Sequence, residues 1–338
     1  MDLVTGGTGL VGAHMLLELA AAGRPVRALH RKGADRTVID RIFKHYRPDA
    51  ADLLARIQWE EGDLMDVGAL EEAMSGVQHV YHAAAVVSFD PRHGEELRRT
   101  NTQGTARVVD AALAAGVARL CHVSSTAAIG RGKKDEPRTE AMPWTDVAGN
   151  SDYAISKYEA ELEVYRGIAE GLDAVIVNPC VVIGPGAKGR SSMTLVERMR
   201  KGTQWVPPGS NAFVDARDVA ACMRTLIEKG GSGERYLLVG ENATYDRLFA
   251  AFANAFGHPK PTKRLKPWML ETAWRLERVR SLFSSRGALV TKATAHSAIT
   301  TRSYSNTKVV QAIGHNFRPL DEMVANVVAF VQGTGSAG

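Results

Sequence analysis

The first half of the chain alternates short apolar runs with longer amphipathic segments. Short apolar runs between turn residues are typical of buried strands, whereas apolar positions at helical spacing are typical of helices. By this rule the pattern predicts strands at 3–5, 25–29, 57–60, 77–82, 120–124 and 174–177. It predicts helices at 10–22, 101–116 and 153–170.

The helix predicted at 10–22 shows the pattern most clearly. Helical spacing places its apolar side chains on one face: Val11, Met15, Leu16 and Leu19. The two later helices are followed by Gly116 and Gly171, and glycine commonly ends a helix. Because strands that alternate with helices pair in parallel, the sequence predicts an α/β fold, a Rossmann-type doubly wound parallel sheet. Such sheets bind ligands at the carboxyl ends of their strands.

The second half of the chain is less regular and predicts a smaller C-terminal lobe. We predict one more strand at 236–239 and helices at 245–256 and 267–283. Residues 1–183 are expected to form the dinucleotide-binding domain, with 213–240 returning to it. We assign 184–212 and 241–332 to a substrate-binding lobe and expect a disordered tail at 333–338.

Composition and charge exclude several classes of protein. The chain is 45% hydrophobic and 23% charged, as is usual for a globular protein. Its net charge of +5 permits anionic ligands but does not indicate nucleic-acid binding. The scattered Cys121, Cys180 and Cys222 are expected to be core thiols, and no metal site is expected. We see no signal peptide and no apolar run long enough to span a bilayer, so we expect a cytoplasmic protein.

A glycine-rich turn joins the first predicted strand to the first helix. Gly6, Gly9 and Gly12 stand three residues apart within 5–12. In this position glycines allow a tight turn, a close approach to a pyrophosphate and tight packing of the helix on the sheet. The free N–H groups of the helix N-terminus favour an anion. We therefore expect the turn to bind a dinucleotide through Gly6, Thr8, Gly9, Leu10, Val11 and Gly12.

The end of the second strand predicts the type of cofactor. An acidic residue there would bind the ribose hydroxyls of NAD, but His30, Arg31 and Lys32 occupy these positions. Arg31 can pair with a 2′-phosphate, which favours NADP over NAD, although it could also be a solvated surface arginine. The ends of the third and fourth strands are expected to border the adenosine through Asp63, Leu64, Ala83, Ala84 and Ala85.

Tyr153 and Lys157 form a candidate acid–base pair. Their spacing places them on one helix face, where an ammonium favours the phenolate form of the tyrosine. Tyr304 and Lys308 repeat the spacing, but no strand that carries a serine precedes them, so we expect this second pair to be structural. The fifth strand ends in three hydroxyl residues that could face the cofactor cleft: Ser124, Ser125 and Thr126.

These motifs together resemble the extended short-chain dehydrogenase/reductase family, also called the epimerase/dehydratase family. The resemblance covers nearly the whole chain, at 5–12, 123–130, 153–157, 178–179, 213–220 and 305–308. It implies that Ser125 hydrogen-bonds the substrate oxygen, that Tyr153 transfers the proton, and that Lys157 tunes Tyr153 and holds the nicotinamide ribose. It implies that Pro179 and Val182 flank the nicotinamide.

Two alternatives at single residues stay open. Ser124 and Thr126 are alternatives to Ser125 as the catalytic hydroxyl. Asn101 matches a position of the family pattern, but it could equally cap the N-terminus of the helix predicted at 101–116.

Departures from the family pattern favour its reductase branch. Sugar-nucleotide dehydratases carry an acid pair where this chain has Thr126 and Ala127, and epimerases carry an arginine where it has Ser210-Asn211-Ala212. What remains is similar to dihydroflavonol 4-reductases and 3β-hydroxysteroid dehydrogenases, with a small-molecule carbonyl or alcohol as substrate. The alternatives are an NAD-dependent sugar-nucleotide epimerase and a non-catalytic NADP-sensing protein. A homodimer is compatible with the sequence, which determines neither the substrate nor the oligomeric state.

Overall fold

A computed structural model describes residues 1–132, 136–145, 149–282 and 291–333. The strands are β1 (Asp2–Thr5), β2 (Val26–His30), β3 (Ile57–Glu61), β4 (His79–His82), β5 (Arg119–Val123), β6 (Ala174–Pro179), β7 (Val181–Ile183), β8 (Trp205–Val206), β9 (Ser210–Asp215), β10 (Arg235–Leu238), β11 (Glu241–Thr244) and β12 (Lys263–Arg264). Seven of them form one sheet in the order β10-β6-β5-β4-β1-β2-β3. Every pair of neighbours in it is parallel. The predicted doubly wound α/β sheet is therefore confirmed.

Helices cover both faces of this sheet. The helices of the described residues are α1 (Leu10–Ala21), α2 (Thr37–Tyr46), α3 (Ala50–Ala55), α4 (Val67–Met74), α5 (Gly94–Leu97), α6 (Gly104–Ala114), α7 (Asp152–Ala169), α8 (Met193–Arg200), α9 (Ala216–Lys229), α10 (Tyr245–Phe256), α11 (Pro267–Leu282), α12 (Lys292–Ile299), α13 (Thr307–Ile313) and α14 (Leu320–Gly333). Helices α1 and α9 pack on one face, and α4, α6 and α7 on the other. Successive residues of a strand point to opposite sides of the sheet. Because these strands are apolar at most positions, they supply apolar side chains to both faces.

The predicted strands of the large sheet lie within two residues of the observed ones. The helix predicted at 101–116 differs, because a π-helical turn, Arg98–Gln103, precedes α6. Helix α11 ends at Leu282, so position 283 of the predicted helix lies outside the described residues. Helix α14 includes Gly333, the first residue of the predicted tail, and 334–338 lie outside the described residues.

The second half of the chain contributes to both parts of the molecule. Strand β10 pairs with β6 at the edge of the large sheet, and α9 packs beside α1. Strand β9 pairs instead with β7 and β11 in a small mixed sheet. The three cysteines are free and buried. None of the helices within the described residues has the length and apolar character needed to cross a membrane, and no group of three or more metal-binding side chains occurs among those residues.

The turn between β1 and α1 is closed by backbone packing that leaves no room for side chains. Gly6 has a φ of 71°, and a methyl group on it would lie 2.6 Å from the Ala84 backbone. A methyl group on Gly12 would lie 2.1 Å from the Gly6 carbonyl oxygen. Gly9 faces outward, and its nearest neighbour is that same oxygen at 3.2 Å. Gly6 and Gly12 therefore shape the turn, while Gly9 presents its backbone to the cleft.

We predict that Gly12→Ala lowers the free energy of unfolding by at least about 2 kcal/mol, because the methyl group must displace the turn. Gly68→Ala is the matched control: it lies in α4, where an added methyl group meets only the Asp66 carboxylate at 3.6 Å. In the control, alanine should be neutral or stabilising by up to about 1 kcal/mol. Urea unfolding of both variants measures the difference. Equal stability of the two would contradict the assignment of Gly12 to close packing.

Candidate active site

The glycine turn lies at the point where the strand order of the large sheet reverses. From β1 the chain continues outward to β2 and β3, whereas β4, β5 and β6 lie on the other side. Crevices at such a point bind dinucleotides in doubly wound folds. Gly9 occupies the N-cap of α1 without a side-chain cap and is exposed. The first N–H groups of α1 are therefore free of side-chain partners and suited to a pyrophosphate.

The predicted adenosine-side residues border the same crevice. Ala83, Ala84 and Ala85 follow β4, and Ala84 lies directly against Gly6. Leu64 is buried, whereas Asp63 is exposed and accepts a hydrogen bond from the Met65 N–H.

Arg31 is exposed at the end of β2, and a second arginine that the sequence analysis missed, Arg36, contacts the neighbouring strand β3. The Arg36 guanidinium lies 5.0 Å from the ring centre of Trp59. Asp35, between the two arginines, accepts hydrogen bonds from the N–H and hydroxyl of Thr37 at the start of α2. The first residue of α2 therefore fixes the Asp35 carboxylate in position. In the sequence, the feature that could have pointed to Arg36 was its position five residues after Arg31, close to the predicted end of the second strand.

Ser125, Tyr153 and Lys157 come together at the carboxyl end of β5. The Ser125 side chain lies beside the Tyr153 hydroxyl and accepts a hydrogen bond from the Ala127 N–H. Burial raises the pKa of Tyr153, and the hydrogen bond to Ser125 opposes this. The Lys157 ammonium is almost fully buried and donates to the Val123 carbonyl oxygen at 2.8 Å. The end of β5 therefore holds the lysine, which stands one helical turn after Tyr153 on α7.

The neighbouring hydroxyls have other partners. Ser124 donates to the Glu161 carboxylate at 2.5 Å, and Thr126 is buried in a short 3-10 turn. Among the three candidates, Ser125 is thus placed against Tyr153. Asn101 lies inside the π-helical turn, so the alternative of a helix N-cap is wrong. Its amide pairs with the backbone of Val86 and donates to Ser156, which ties the loop after β4 to α7.

A buried carboxylate that the sequence analysis missed lies behind this group. Glu161 accepts hydrogen bonds from Ser124 and Asn178 at 2.5 Å each and pairs with Arg235 at 3.2 Å. Asn178 also donates to the Ser125 carbonyl oxygen at 3.0 Å. Burial raises the pKa of Glu161, and its hydrogen-bond partners oppose the rise. In the sequence, the feature that could have pointed to Glu161 was its position one helical turn after Lys157.

Lys157 is the cation of this buried group. Burial lowers the pKa of Lys157 to about 8, with the Glu161 charge opposing, so the ammonium remains protonated at neutral pH. His82 and His122 are buried in adjacent strands, with ring centres 5.2 Å apart. Burial, reinforced by the Lys157 charge, lowers the pKa of His82 to about 3 and that of His122 well below its usual value. At neutral pH the imidazole rings of His82 and His122 are therefore uncharged, whereas Lys157 is charged.

The open side of Tyr153 is apolar. Phe89 packs edge to face against the tyrosine ring with ring centres 5.5 Å apart, and it is 43% exposed. Val87, from the same loop, is 50% exposed. Two exposed apolar side chains beside a candidate catalytic group are suited to the body of a substrate.

The remaining predicted residues separate into two sets. Pro179 ends β6 and is buried, and Val182 is half-buried in β7, the next strand along the chain. The second tyrosine–lysine pair lies elsewhere: Tyr304 is buried beside Arg138, and Lys308 pairs with Glu234 before β10. Both residues of this pair have partners unrelated to Tyr153.

Comparison with known proteins identifies the family. A model of the NAD dependent epimerase/dehydratase family matches residues 3–239. Sterol demethylase protein B of Methylococcus capsulatus is 33% identical over 280 residues, which cover 80% of this chain and 78% of that protein. A Synechocystis protein named "Putative dihydroflavonol 4-reductase" is 33% identical over 343 residues, which cover 98% of this chain and 94% of that protein.

The fold likeness is equally extensive. The crystal structure of gox2253 superposes with a TM-score of 0.81 and 28% identity, over 99% of this chain and 98% of that one. The family match spans more than half of the chain, and the two relatives share a third of its residues over most of their length. The resemblance found in the sequence is thus confirmed. The chain belongs to the NAD-dependent epimerase/dehydratase family and is an oxidoreductase that works with a nicotinamide cofactor.

Proposed function

We propose that this oxidoreductase uses NADP(H) to interconvert a carbonyl and an alcohol on a small organic substrate, with Tyr153 as general acid and base. The observation that carries the proposal is the placement of Ser125, Tyr153 and Lys157 at the carboxyl end of β5. The surrounding residues fit a dinucleotide, because the uncapped N-terminus of α1 and the exposed backbone at Gly9 leave N–H groups for a pyrophosphate.

The proposed chemistry assigns one task to each residue. The nicotinamide, when bound, supplies or accepts the hydride, so reduction leaves a developing alkoxide that needs a proton and fixed donors. Tyr153 gives that proton, and the Ser125 hydroxyl steadies the oxygen. Lys157 stabilises the phenolate that results and holds the nicotinamide ribose. Pro179 and Val182 are proposed to flank the nicotinamide.

The proposal competes with two other functions. A sugar-nucleotide epimerase needs an anchor for a diphosphate, but Ser210 begins β9 where that arginine would stand, and its hydroxyl bonds the Arg302 backbone. The names of both relatives point to redox chemistry on compounds other than sugar nucleotides. The third function, a non-catalytic NADP sensor, needs neither Tyr153 nor Lys157.

A screen of NADPH oxidation against aldehydes, ketones, hydroxysteroids and flavonoid ketones, with UDP-sugars as a control, separates these functions. Turnover of a carbonyl compound supports the reductase. A tightly retained NAD together with conversion of a UDP-sugar would replace it with the epimerase. NADP binding without any turnover would replace it with the sensor.

We predict that NADP(H) binds at least tenfold more tightly than NAD(H), a difference of about 1.4 kcal/mol. Arg31 is exposed at the end of β2 and Arg36 lies nearby, so both are suited to a 2′-phosphate. Arg31→Asp should erase or reverse the preference, because a carboxylate repels the phosphate and accepts from ribose hydroxyls. Fluorescence titrations with NADPH and with NADH measure the ratio of the two affinities in each protein. Equal affinities in the unmodified protein would contradict the NADP assignment.

We predict that Tyr153→Phe lowers kcat by at least ~100-fold, the low end for a positioned general acid, while NADPH affinity barely changes. Lys157→Met should weaken both, because the lysine also holds the ribose. Tyr165→Phe is the matched control: it removes the same hydroxyl on the same helix, roughly 18 Å further along. Steady-state kinetics and NADPH titrations of the three variants provide the comparison. Near-normal turnover by Tyr153→Phe would require a different proton donor.

A further inference from the structure

Helix α11 differs from the other long helices of the described chain in having no buried face. Its described side chains, at 267–278 and Arg280, are all exposed or half-buried. By contrast, α1, α7, α9, α10 and α14 each have a row of buried side chains. The main packing partner of α11 is α12. Helix α11 therefore presents much of its surface to the surroundings of the protein.

Two large apolar side chains lie on this exposed surface. Trp268 is 64% exposed and Leu276 is 67% exposed, the two highest values among the large apolar residues of the described chain. They stand eight positions apart with Thr272 between them, so they lie along one ridge of the helix, roughly 12 Å apart along its axis. Exposed apolar surface of this kind marks a site of contact with a partner or a membrane.

A third apolar side chain lies at the approach to α11. Strand β12 pairs with β8, and the chain continues from β12 through 265–266 into α11. The Lys263 ammonium lies 5.6 Å from the ring centre of Trp205, which is 40% exposed. Tryptophan and lysine are residue types that proteins place at the boundary between water and a bilayer.

The segment 260–280, which we call the basic segment, carries the whole net charge of the chain. Its charged residues are Lys260, Lys263, Arg264, Lys266, Glu271, Arg275, Glu277, Arg278 and Arg280. Their net charge of +5 equals that of all 338 residues, so the remaining 35 basic and 35 acidic residues cancel. All seven cations are exposed. The basic segment therefore combines an excess of positive charge with exposed apolar side chains.

The acidic residues of the basic segment do not interrupt this positive surface. Glu271 pairs with Arg275 at 2.7 Å, and Glu277 pairs with Arg280 at 2.6 Å. Both carboxylates are thus compensated by arginines of their own helix. Lys260, Lys263 and Lys266 are exposed before the helix begins and add charge without a carboxylate between them in the chain.

Charge complementarity distinguishes the surfaces that could cover the basic segment. A second copy of the chain in a two-fold dimer would place the same positive surface opposite itself, which is unfavourable. A nucleic acid matches the charge but offers no apolar phase to Leu276. The surface of a bilayer with anionic headgroups offers both, because phosphates attract the cations and the boundary of the acyl chains accepts tryptophan and leucine.

We propose that the basic segment docks on the surface of a bilayer that contains anionic phospholipids. Trp268 and Leu276 enter the boundary between headgroups and acyl chains, and the lysines and arginines contact the headgroups. The contact is peripheral and needs no helix that spans the membrane. It does not depend on the reductase function, because no residue of the basic segment belongs to the candidate active site.

Sedimentation of the full-length protein with vesicles tests the proposal. Vesicles of phosphatidylcholine alone are compared with vesicles that also contain phosphatidylglycerol. The protein should bind the anionic vesicles at least ~10-fold more tightly. Rising salt should weaken this preference, because salt screens exposed charges.

Matched variants locate the contact on the basic segment. Lys260→Gln combined with Lys266→Gln should weaken binding to the anionic vesicles at least ~10-fold. The control is Arg56→Gln combined with Lys229→Gln, which removes the same charge from two exposed residues outside the basic segment and should have little effect.

The apolar contact is tested separately. Trp268→Ala and Leu276→Ala should each weaken binding at least ~5-fold, because each removes apolar surface that the bilayer would cover. Leu162→Ala is the control, since Leu162 is a 47% exposed leucine on α7 and should not contribute. Thermal unfolding verifies that each variant is folded.

The outcomes either support the proposal or overturn it. Equal binding to neutral and anionic vesicles, or unchanged binding in the Lys260→Gln/Lys266→Gln variant, would overturn it. Unchanged binding in both Trp268→Ala and Leu276→Ala would also overturn it, because the bilayer would then not contact the helix. Tighter binding to a DNA duplex than to anionic vesicles would assign the basic segment to nucleic acid. A dimer in light scattering that dissociates in Leu276→Ala would assign it to self-association.

Discussion

One buried carboxylate holds the reactive part of the molecule together. Glu161 on α7 accepts hydrogen bonds from Ser124 beside β5, Asn178 on β6 and Arg235 on β10. Since a buried charge is tolerated only when it is paired and hydrogen-bonded, these three strands and the helix must meet in one register. The same helix carries Tyr153 and Lys157, and Asn178 also holds the Ser125 backbone. The separation between the serine and the tyrosine is therefore set by the core.

The electrostatic character of the site follows from burial at its base. Lys157 keeps its charge because Glu161 opposes the effect of desolvation, whereas His82 and His122 are held neutral by burial and by the lysine itself. Tyr153 stays protonated in its partly enclosed position. A neutral phenol one helical turn before a buried ammonium is compatible with the proton-donor role proposed for Tyr153.

The two ends of the cleft are built by different parts of the chain. The end proposed for the cofactor contains the glycine turn and the arginines beyond β2, all local features of the first strand–helix units. The end beside Tyr153 carries a loop of the Rossmann domain whose Phe89 packs on the tyrosine ring. A conserved architecture can accept many substrates in this way, because loops and the added lobe vary while the sheet stays the same. The family name by itself therefore says little about what this cleft binds.

The sequence alone determined the features that depend on local spacing. The strands of the large sheet, the glycine turn and the shared face of Tyr153 and Lys157 follow from periodicity and backbone geometry within a few residues. The choice of Ser125 over Ser124 and Thr126, and the role of Asn101 inside a π-helical turn, needed the tertiary structure. Adjacent hydroxyls at a strand end look alike until their partners are known.

Pairings between distant residues outside the family motifs lay beyond the sequence. Glu161 and Arg235 stand 74 positions apart, and Arg138 pairs with Tyr304 although all the helices from α7 to α12 lie between them in the chain. No local period encodes such a pairing, because it arises only when strands from separate units become neighbours in the sheet or when the lobe folds back onto it. What the sequence supplied was the chemistry of each residue, and the tertiary structure decided which residues could act on one another.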